Sequence, residues 1–216
     1  MPIVKHAVIA AAGLGSRLGH GKPKCLVEIE GLSVLEHQLG LLRDVEDVRV
    51  VVGFEEKHVI DAVRRLRRTA IVVRNPAFRS TTTLHSYAMG ASHLRGDCLF
   101  MDGDMYVLPH TMEAFLASCR VGSPLLGIVS SRTNDAVYVA IAGDRVMGFS
   151  RETKTEYEWA NVAWLPVSIF EDIGNTPVYV HLEKWLPMQA LAIESFEIDT
   201  KADLEAASRH RQSFSA

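Results

Sequence analysis

The sequence predicts an α/β fold: a doubly wound, mostly parallel sheet flanked by helices, with a small β-rich insertion. Short β-branched runs alternate with longer segments of helical period through the first hundred residues, the pattern of parallel strands joined by crossover helices. After Ser130 the pattern changes to hairpin-like strands. A length of 216 residues suits one domain, since single cores stop growing at roughly 250 residues.

Strands are expected over residues 7–11, 49–53, 71–74, 98–101, 125–130 and 192–198, each an apolar or β-branched run. The first helix opens on Ser33-Val34-Leu35-Glu36, a capping box, after which Leu35, Leu39 and Leu42 recur at helical spacing. Further helices are expected over 56–67 and 82–94. Residues 135–142 and 145–150, joined by Gly143-Asp144, predict a β-hairpin, and 158–165 predicts another strand. A helix rich in aromatics and Leu follows near 178–188. Residues 192–198 then return to the main sheet, ahead of a helix over 201–208. No repeat, low-complexity linker or composition shift divides the chain, so 131–190 reads as an insertion completing one site within a single domain over 1–216.

The composition, 48% hydrophobic and 23% charged, excludes a disordered or collagen-like chain. A formal net charge of −3 argues against a general nucleic-acid or membrane-surface binder, which needs a basic excess. The charge is unevenly spread: residues 1–96 carry 14 Lys/Arg against 9 Asp/Glu, whereas residues 97–216 carry 9 against 17. Cys25, Cys98 and Cys119 are odd in number and lack CxxC spacing, so neither a disulfide framework nor a thiolate zinc site is expected. The N-terminus lacks the order of a signal peptide, and no apolar run approaches the ~18 residues of a membrane span. A cytoplasmic protein without nucleic-acid or membrane partners is the expectation. The oligomeric state is left open, a homodimer included.

The stretch from Ala10 to Lys24 is the most informative. Ala10, Ala11, Ala12, Gly13 and Gly15 follow the first strand and let backbone N–H groups approach an anion without Cβ interference. Ser16 lies among them, Arg17, Lys22 and Lys24 add positive charge, and no acidic residue occurs before Glu28. The loop reads as a polyphosphate cradle. A dinucleotide-binding fingerprint would need Gly where Leu18 stands, and a Walker A loop would need Gly at Ser16 and Ser or Thr at Pro23.

Ala11-Ala12-Gly13-x-Gly15-x-Arg17-Leu18, followed by Pro23-Lys24-x-Leu26, resembles the signature of the nucleotidyltransferase superfamily that makes nucleotide-sugars and related nucleotide-diphospho compounds. The resemblance covers nearly the whole chain. It implies a Rossmann-like mixed sheet, with residues 1–130 as the nucleotide-binding part, 131–190 as an acceptor-binding insertion, and 191–216 as the return strand and C-terminal helix. It also implies that an NTP and a phosphorylated acceptor are joined with release of pyrophosphate. Arg17 would hold the β- and γ-phosphates and Lys24 would neutralise the α-phosphate.

Cys98-Leu99-Phe100-Met101 ends in Asp102-Gly103-Asp104, carboxylates at a strand's C-terminal end, where α/β sheets bind ligands and where hard oxygen donors suit Mg²⁺. The resemblance assigns Asp104 to the catalytic Mg²⁺ and Asp199, after the last strand, as its second ligand. Taken alone, Asp199 reads as a helix N-cap. Asp102 either meets the metal through water or makes the turn.

Asn75-Pro76-Ala77-Phe78, running to Thr82, Thr83 and Ser86, resembles a segment of the branch that joins CTP to small phospho- or phosphono-alcohols, such as phosphocholine cytidylyltransferase. Thr82 and Thr83 stand where that branch often has paired Asn; they either bond a pyrimidine edge or cap the helix. In the insertion, Tyr157, Glu158, Trp159 and Trp185 suit a cationic head group, phosphocholine-like or 2-aminoethylphosphonate-like, through cation–π and Coulomb attraction. Lys154 is the candidate for the acceptor's phosphate or phosphonate. The expected activity is therefore CMP transfer from CTP. The alternatives are a sugar-1-phosphate nucleotidyltransferase using another NTP, and a non-catalytic nucleotide-binding module.

Overall fold

A computed structural model describes residues 3–14, 21–132 and 135–213. β1 (His6–Ala11) is followed by the ribbon of β2 (Glu28–Ile29) and β3 (Leu32–Ser33), then α1 (Val34–Leu41), β4 (Asp47–Val52), α2 (Glu56–Leu66), β5 (Ile71–Arg74), α3 (Thr83–Ala91) and β6 (Asp97–Asp102). The second half contains β7 (Met105–Val107), α4 (Pro109–Ser118), β8 (Leu125–Ser130), β9 (Tyr138–Ala142), β10 (Arg145–Ser150) and β11 (Tyr157–Pro166). It ends with α5 (Val178–Leu182), β12 (Met188–Ala192), β13 (Ser195–Glu197) and α6 (Lys201–Ser213).

Among the described residues, one nine-stranded sheet has the order β5-β4-β1-β6-β11-β8-β12-β10-β9. It is mixed. β5, β4, β1 and β6 run parallel, as do β8 and β12, whereas β11 is antiparallel to β6 and β8 and joins both to the hairpin of β9 and β10. The chain runs outward from β1 through β4 to β5 and returns on the other side of β1 as β6. That reversal opens the crevice in which α/β sheets bind ligands.

Alternation along the strands fills both faces. Ala7, Ile9 and Ala11 of β1 pack in one cluster with Leu35 and Leu39 of α1, Val59 and Val63 of α2, and Phe115 of α4. Val8 points the other way, to Leu84 and Tyr87 of α3 and Leu182 of α5. Each buried Val, Leu or Ile among them contributes about 1.5–3 kcal/mol. α1 starts as its capping box predicts, Ser33 Oγ accepting from Glu36 N–H at 3.1 Å. A third, smaller cluster of Ile29, Val34, Tyr106, Leu108, Phe196, Ile198 and Ala207 lies beneath α6.

Two expected elements are corrected. The helix near 178–188 stops at Leu182, a 3₁₀ turn covers Glu183–Trp185, and Leu186 is extended with ψ 152° because the following Pro187 disfavours the helical region. The strand expected to return to the main sheet over 192–198 lies earlier, at Met188–Ala192, and residues 195–197 form a separate strand. β12 pairs with β8 in the main sheet, and β13 leaves it to pair with β7. Met188-Gln189-Ala190-Leu191-Ala192 has the composition of a helix, and pairing with β8 overrides that preference. α4, β7 and the β2–β3 ribbon had no strong signal in the sequence.

At the N-terminal end of β4, away from the crevice, Asp47 accepts from Arg49 Nη2 at 3.0 Å and lies 3.1 Å from His6 Nδ1. Arg49 also donates to the carbonyls of Gly90 and Ser92, tying the end of α3 to the sheet. Burial works to raise the Asp47 pKa, but Arg49 and His6 outweigh it and hold the carboxyl below its ordinary value. A depressed carboxylate stabilises the fold above its unfolded pKa, and the contribution is lost as pH falls through the lower folded value. The thermal transition of Asp47→Asn should lie below the parent's at neutral pH, and the gap should narrow below about pH 4. An unchanged gap down to pH 3 would contradict this.

Candidate active site

The site is built from three chain segments converging at the crevice. β1 and β6 are in register at Ala10 and Asp102, so the Ala12–Gly13 turn after β1 lies beside the Asp102-Gly103-Asp104 turn after β6. Gly103 N–H donates to Ala10 O at 2.8 Å. A Cβ on Gly103 would lie 2.9 Å from Ala10 O and from Ala11 Cα, so only glycine lets the two turns meet. The third segment arrives through β13, whose antiparallel pairing places Glu197 opposite Met105. Ile198 N–H then donates to Asp104 O at 2.9 Å, which brings Asp199 to Asp104.

Carboxylate oxygens of Asp104, Glu197 and Asp199 all lie within 4.8 Å of one another. Lys24, on the short 3₁₀ turn after Pro23, donates from Nζ to Asp104 Oδ2 at 2.9 Å and also to Asp199 Oδ1. Asp199 is not the N-cap of α6. Thr200 fills that place: its Oγ1 accepts from Asp203 N–H, and Asp203 Oδ2 accepts from Thr200 N–H at 2.7 Å, leaving the Asp199 carboxylate to the cluster. Three hard oxygen donors, one from the turn after β6 and two from the end of β13, make a set that fits Mg²⁺.

Asp102 faces a different partner. Tyr87 Oη, on α3, donates to Asp102 Oδ1 at 2.5 Å. Burial, and then the charge of Asp104, push the Asp102 carboxyl well above the ordinary carboxylate range, with the Tyr87 bond opposing. Burial likewise drives the Cys25 thiol up to about 12, with Asp104 adding to it, so this cysteine beside Lys24 is not a nucleophile.

Two connected cavities open here. The smaller, about 260 Å³, is lined by Ala10, Ala11, Gly13, Lys24 and Asp104. The larger, about 660 Å³, is lined by Thr82, Glu158, Trp159, Tyr179, Arg132 and Asp199. Thr83, Asp102 and Glu197 border both. Thr82 stands at the N-cap position of α3, but its hydroxyl donates to Thr176 O at 2.7 Å and does not cap the helix. Asn75 is buried and organises this segment: its Nδ2 reaches Thr81 Oγ1 and Ser86 Oγ, both at 3.2 Å, and its Oδ1 accepts from Ala77 N–H.

Of the residues proposed from the sequence, Ala10, Ala11, Gly13, Lys24, Thr83, Asp102, Asp104 and Asp199 come together. Ala12 is buried behind the turn, its carbonyl accepting from Phe54 N–H. Gly15, Ser16 and Arg17 lie outside the described residues. Glu158 and Trp159 line the larger cavity, whereas Tyr157, Lys154 and the exposed Trp185 are not among its lining residues. Glu197 and Arg132 were missed. Glu197 falls inside the strand expected over 192–198, two residues before Asp199. Arg132 reaches its place by lying over the Phe196 ring, 4.7 Å from the centroid, a contact no sequence pattern announces.

The chain belongs to the MobA-like NTP transferase domain family, which matches residues 7–189. A relative is the CMP-5'-(3-aminopropyl)phosphonate synthase of Streptomyces rubellomurinus, 33% identical over 158 residues, which make up 64% of this chain and 24% of that protein. The chain thus corresponds to about a quarter of that relative's length. Two solved structures share the fold. The inositol-1-phosphate CTP transferase from T. maritima superposes with a TM-score of 0.81 at 17% identity, covering 95% of this chain and 96% of the other. The CTP:phosphocholine cytidylyltransferase from Streptococcus pneumoniae superposes with a TM-score of 0.79 at 18% identity, covering 95% and 98%. No helix among the described residues is long and apolar enough to cross a membrane.

The close approach at Gly103 yields a test. Its missing Cβ would press on backbone rather than on a yielding side chain, so Gly103→Ala should lose about 1–3 kcal/mol in urea denaturation. A loss under about 0.5 kcal/mol would show that the two turns are not in contact.

Proposed function

We propose that the chain transfers CMP from CTP to a small phosphorylated or phosphonate acceptor and releases pyrophosphate, with Mg²⁺ as cofactor. The observation that carries this is the cluster of Asp104, Glu197 and Asp199 beside Lys24 and the turn after β1. A cytidine nucleotide is supported by the relative's name, a CMP-phosphonate synthase, and CTP by the names of both solved structures.

The acceptor's phosphate or phosphonate oxygen attacks the α-phosphorus, a new P–O bond forms, and the bond from the α-phosphorus to the oxygen bridging to the β-phosphorus breaks. That oxygen leaves with pyrophosphate. The attacking oxygen is already anionic at neutral pH, so no general base is required, and the chain's task is positioning and charge neutralisation. Ala10, Ala11 and Gly13 line the smaller cavity, and Lys24 places a cation in the same lining. Arg17 is assigned to the leaving phosphates. Asp104 and Asp199, with Glu197, would hold Mg²⁺, which when bound supplies further charge neutralisation at the phosphates.

The larger cavity receives the acceptor. Trp159, Tyr179 and Glu158 suit an aminoalkyl head, and Arg132 takes the anionic end in place of Lys154. Arg132 borders this cavity and Lys154 does not, so the anionic end is assigned to Arg132.

Pyrophosphate release should be screened with four NTPs against phosphocholine, 2-aminoethylphosphonate and several sugar 1-phosphates. CTP with an aminoalkyl phosphate or phosphonate is the expected pair. Turnover only with a sugar phosphate would overturn the acceptor assignment, and NTP binding without turnover for any acceptor would favour a regulatory module. Asp104→Ala and Asp199→Ala should each lower kcat by about 10²–10³-fold or more while shifting the thermal transition by only a few degrees. Full activity in either variant would refute the metal assignment.

A further inference from the structure

The buried face of α1 contains Val34, Leu35 and Leu39, and also Gln38, which is 0% exposed. A buried amide on an apolar helix face costs free energy unless it is hydrogen-bonded. Gln38 Nε2 donates one hydrogen to Asp102 O and the other to Met105 O, both at 2.8 Å. Both partners are carbonyl acceptors, so they fix which end of the amide carries the hydrogens. These two carbonyls bracket Gly103-Asp104, the turn that presents the central carboxylate of the cluster.

The same turn is held from two other sides, by Gly103 N–H to Ala10 O and by Ile198 N–H to Asp104 O. Those bonds tie it to β1 and to the β13 segment. The Gln38 amide spans it, bonding the residue before Gly103 and the residue after Asp104, from a position 64 and 67 residues away in the chain. Next to it, His37 Nε2 meets Val107 O at 2.7 Å, so successive residues of α1 grip β7 and the turn that precedes it.

We infer that Gln38 is a positioning residue: its amide spans the turn and sets the direction in which Asp104 presents its carboxylate to a divalent cation. This rests on the reading of Asp104, Glu197 and Asp199 as a cation site. Groups that orient a metal ligand in this way typically cost about 10–100-fold in affinity or activity when removed.

The experiment measures Mn²⁺ binding to the full chain by the electron paramagnetic resonance signal of free Mn²⁺, alongside thermal unfolding. Gln38→Met keeps the shape and removes both donors. It should raise the Mn²⁺ Kd at least about tenfold and lower kcat without raising KM for CTP. Leu39→Ala, which destabilises the same helix without touching the turn, should leave the Mn²⁺ Kd within about twofold. If Gln38→Met does not fold, Gln38→Asn replaces it: its amide is shorter by one C–C bond of about 1.5 Å, cannot reach both carbonyls, and should show the same loss. Mn²⁺ binding within about twofold of the parent, or an equal loss in Leu39→Ala, overturns the inference provided Asp104→Ala abolishes binding. Mn²⁺ binding retained in Asp104→Ala overturns the underlying cation-site reading instead.

Discussion

The hydrogen bond from Ile198 N–H to Asp104 O is the constraint on which the site depends. It continues the pairing of β13 with β7 beyond the three residues each strand contributes. It sets Asp199 directly beside Asp104, at the point where the β13–β7 pairing meets the turn after β6. The small apolar cluster of Tyr106, Phe196 and Ile198 beneath α6 supports this pairing, so a modest amount of buried surface holds the arrangement.

Bringing three carboxylates together has a cost. Two like charges about 4 Å apart repel by roughly 4 kcal/mol at the effective dielectric near a protein surface. Lys24 offsets part of this by bonding two of the three, and the backbone contacts around Gly103 leave the turn little room to relax away. Asp102 is kept out of the competition by its Tyr87 bond and by burial, which favours its neutral form. The result is a division between two adjacent aspartates: one carboxylate turned to the cluster, the other held by α3.

The strands and helices of the first hundred residues were legible because β-branched runs and a capping box are local signals. Asp104 and Asp199 were legible as strand-end carboxylates with a matching family pattern. What stayed hidden was set by long-range contact. β7 and β13 are too short for periodicity to reveal, and β12 has the residues of a helix. Thr200 rather than Asp199 caps α6, which only the hydrogen bonds of Asp203 disclose. Gln38 carried one signal, a polar residue where the helical spacing of Leu35 and Leu39 calls for an apolar one. The lining of the larger cavity was least legible, because an aromatic residue in a strand reads alike whether it lines a cavity, as Trp159 does, or packs in the core, as Trp164 does.

The central claim is that Asp104 and Asp199 hold a divalent cation against the nucleotide's phosphates. A crystal of the full chain grown with Mn²⁺ and CTP, read by anomalous scattering at the manganese edge, tests it most directly. The account predicts a manganese peak within coordinating distance of both carboxylates and of an α-phosphate oxygen, with Lys24 moved off at least one of the two. CTP bound in the crevice with manganese away from Asp104 and Asp199 would contradict it.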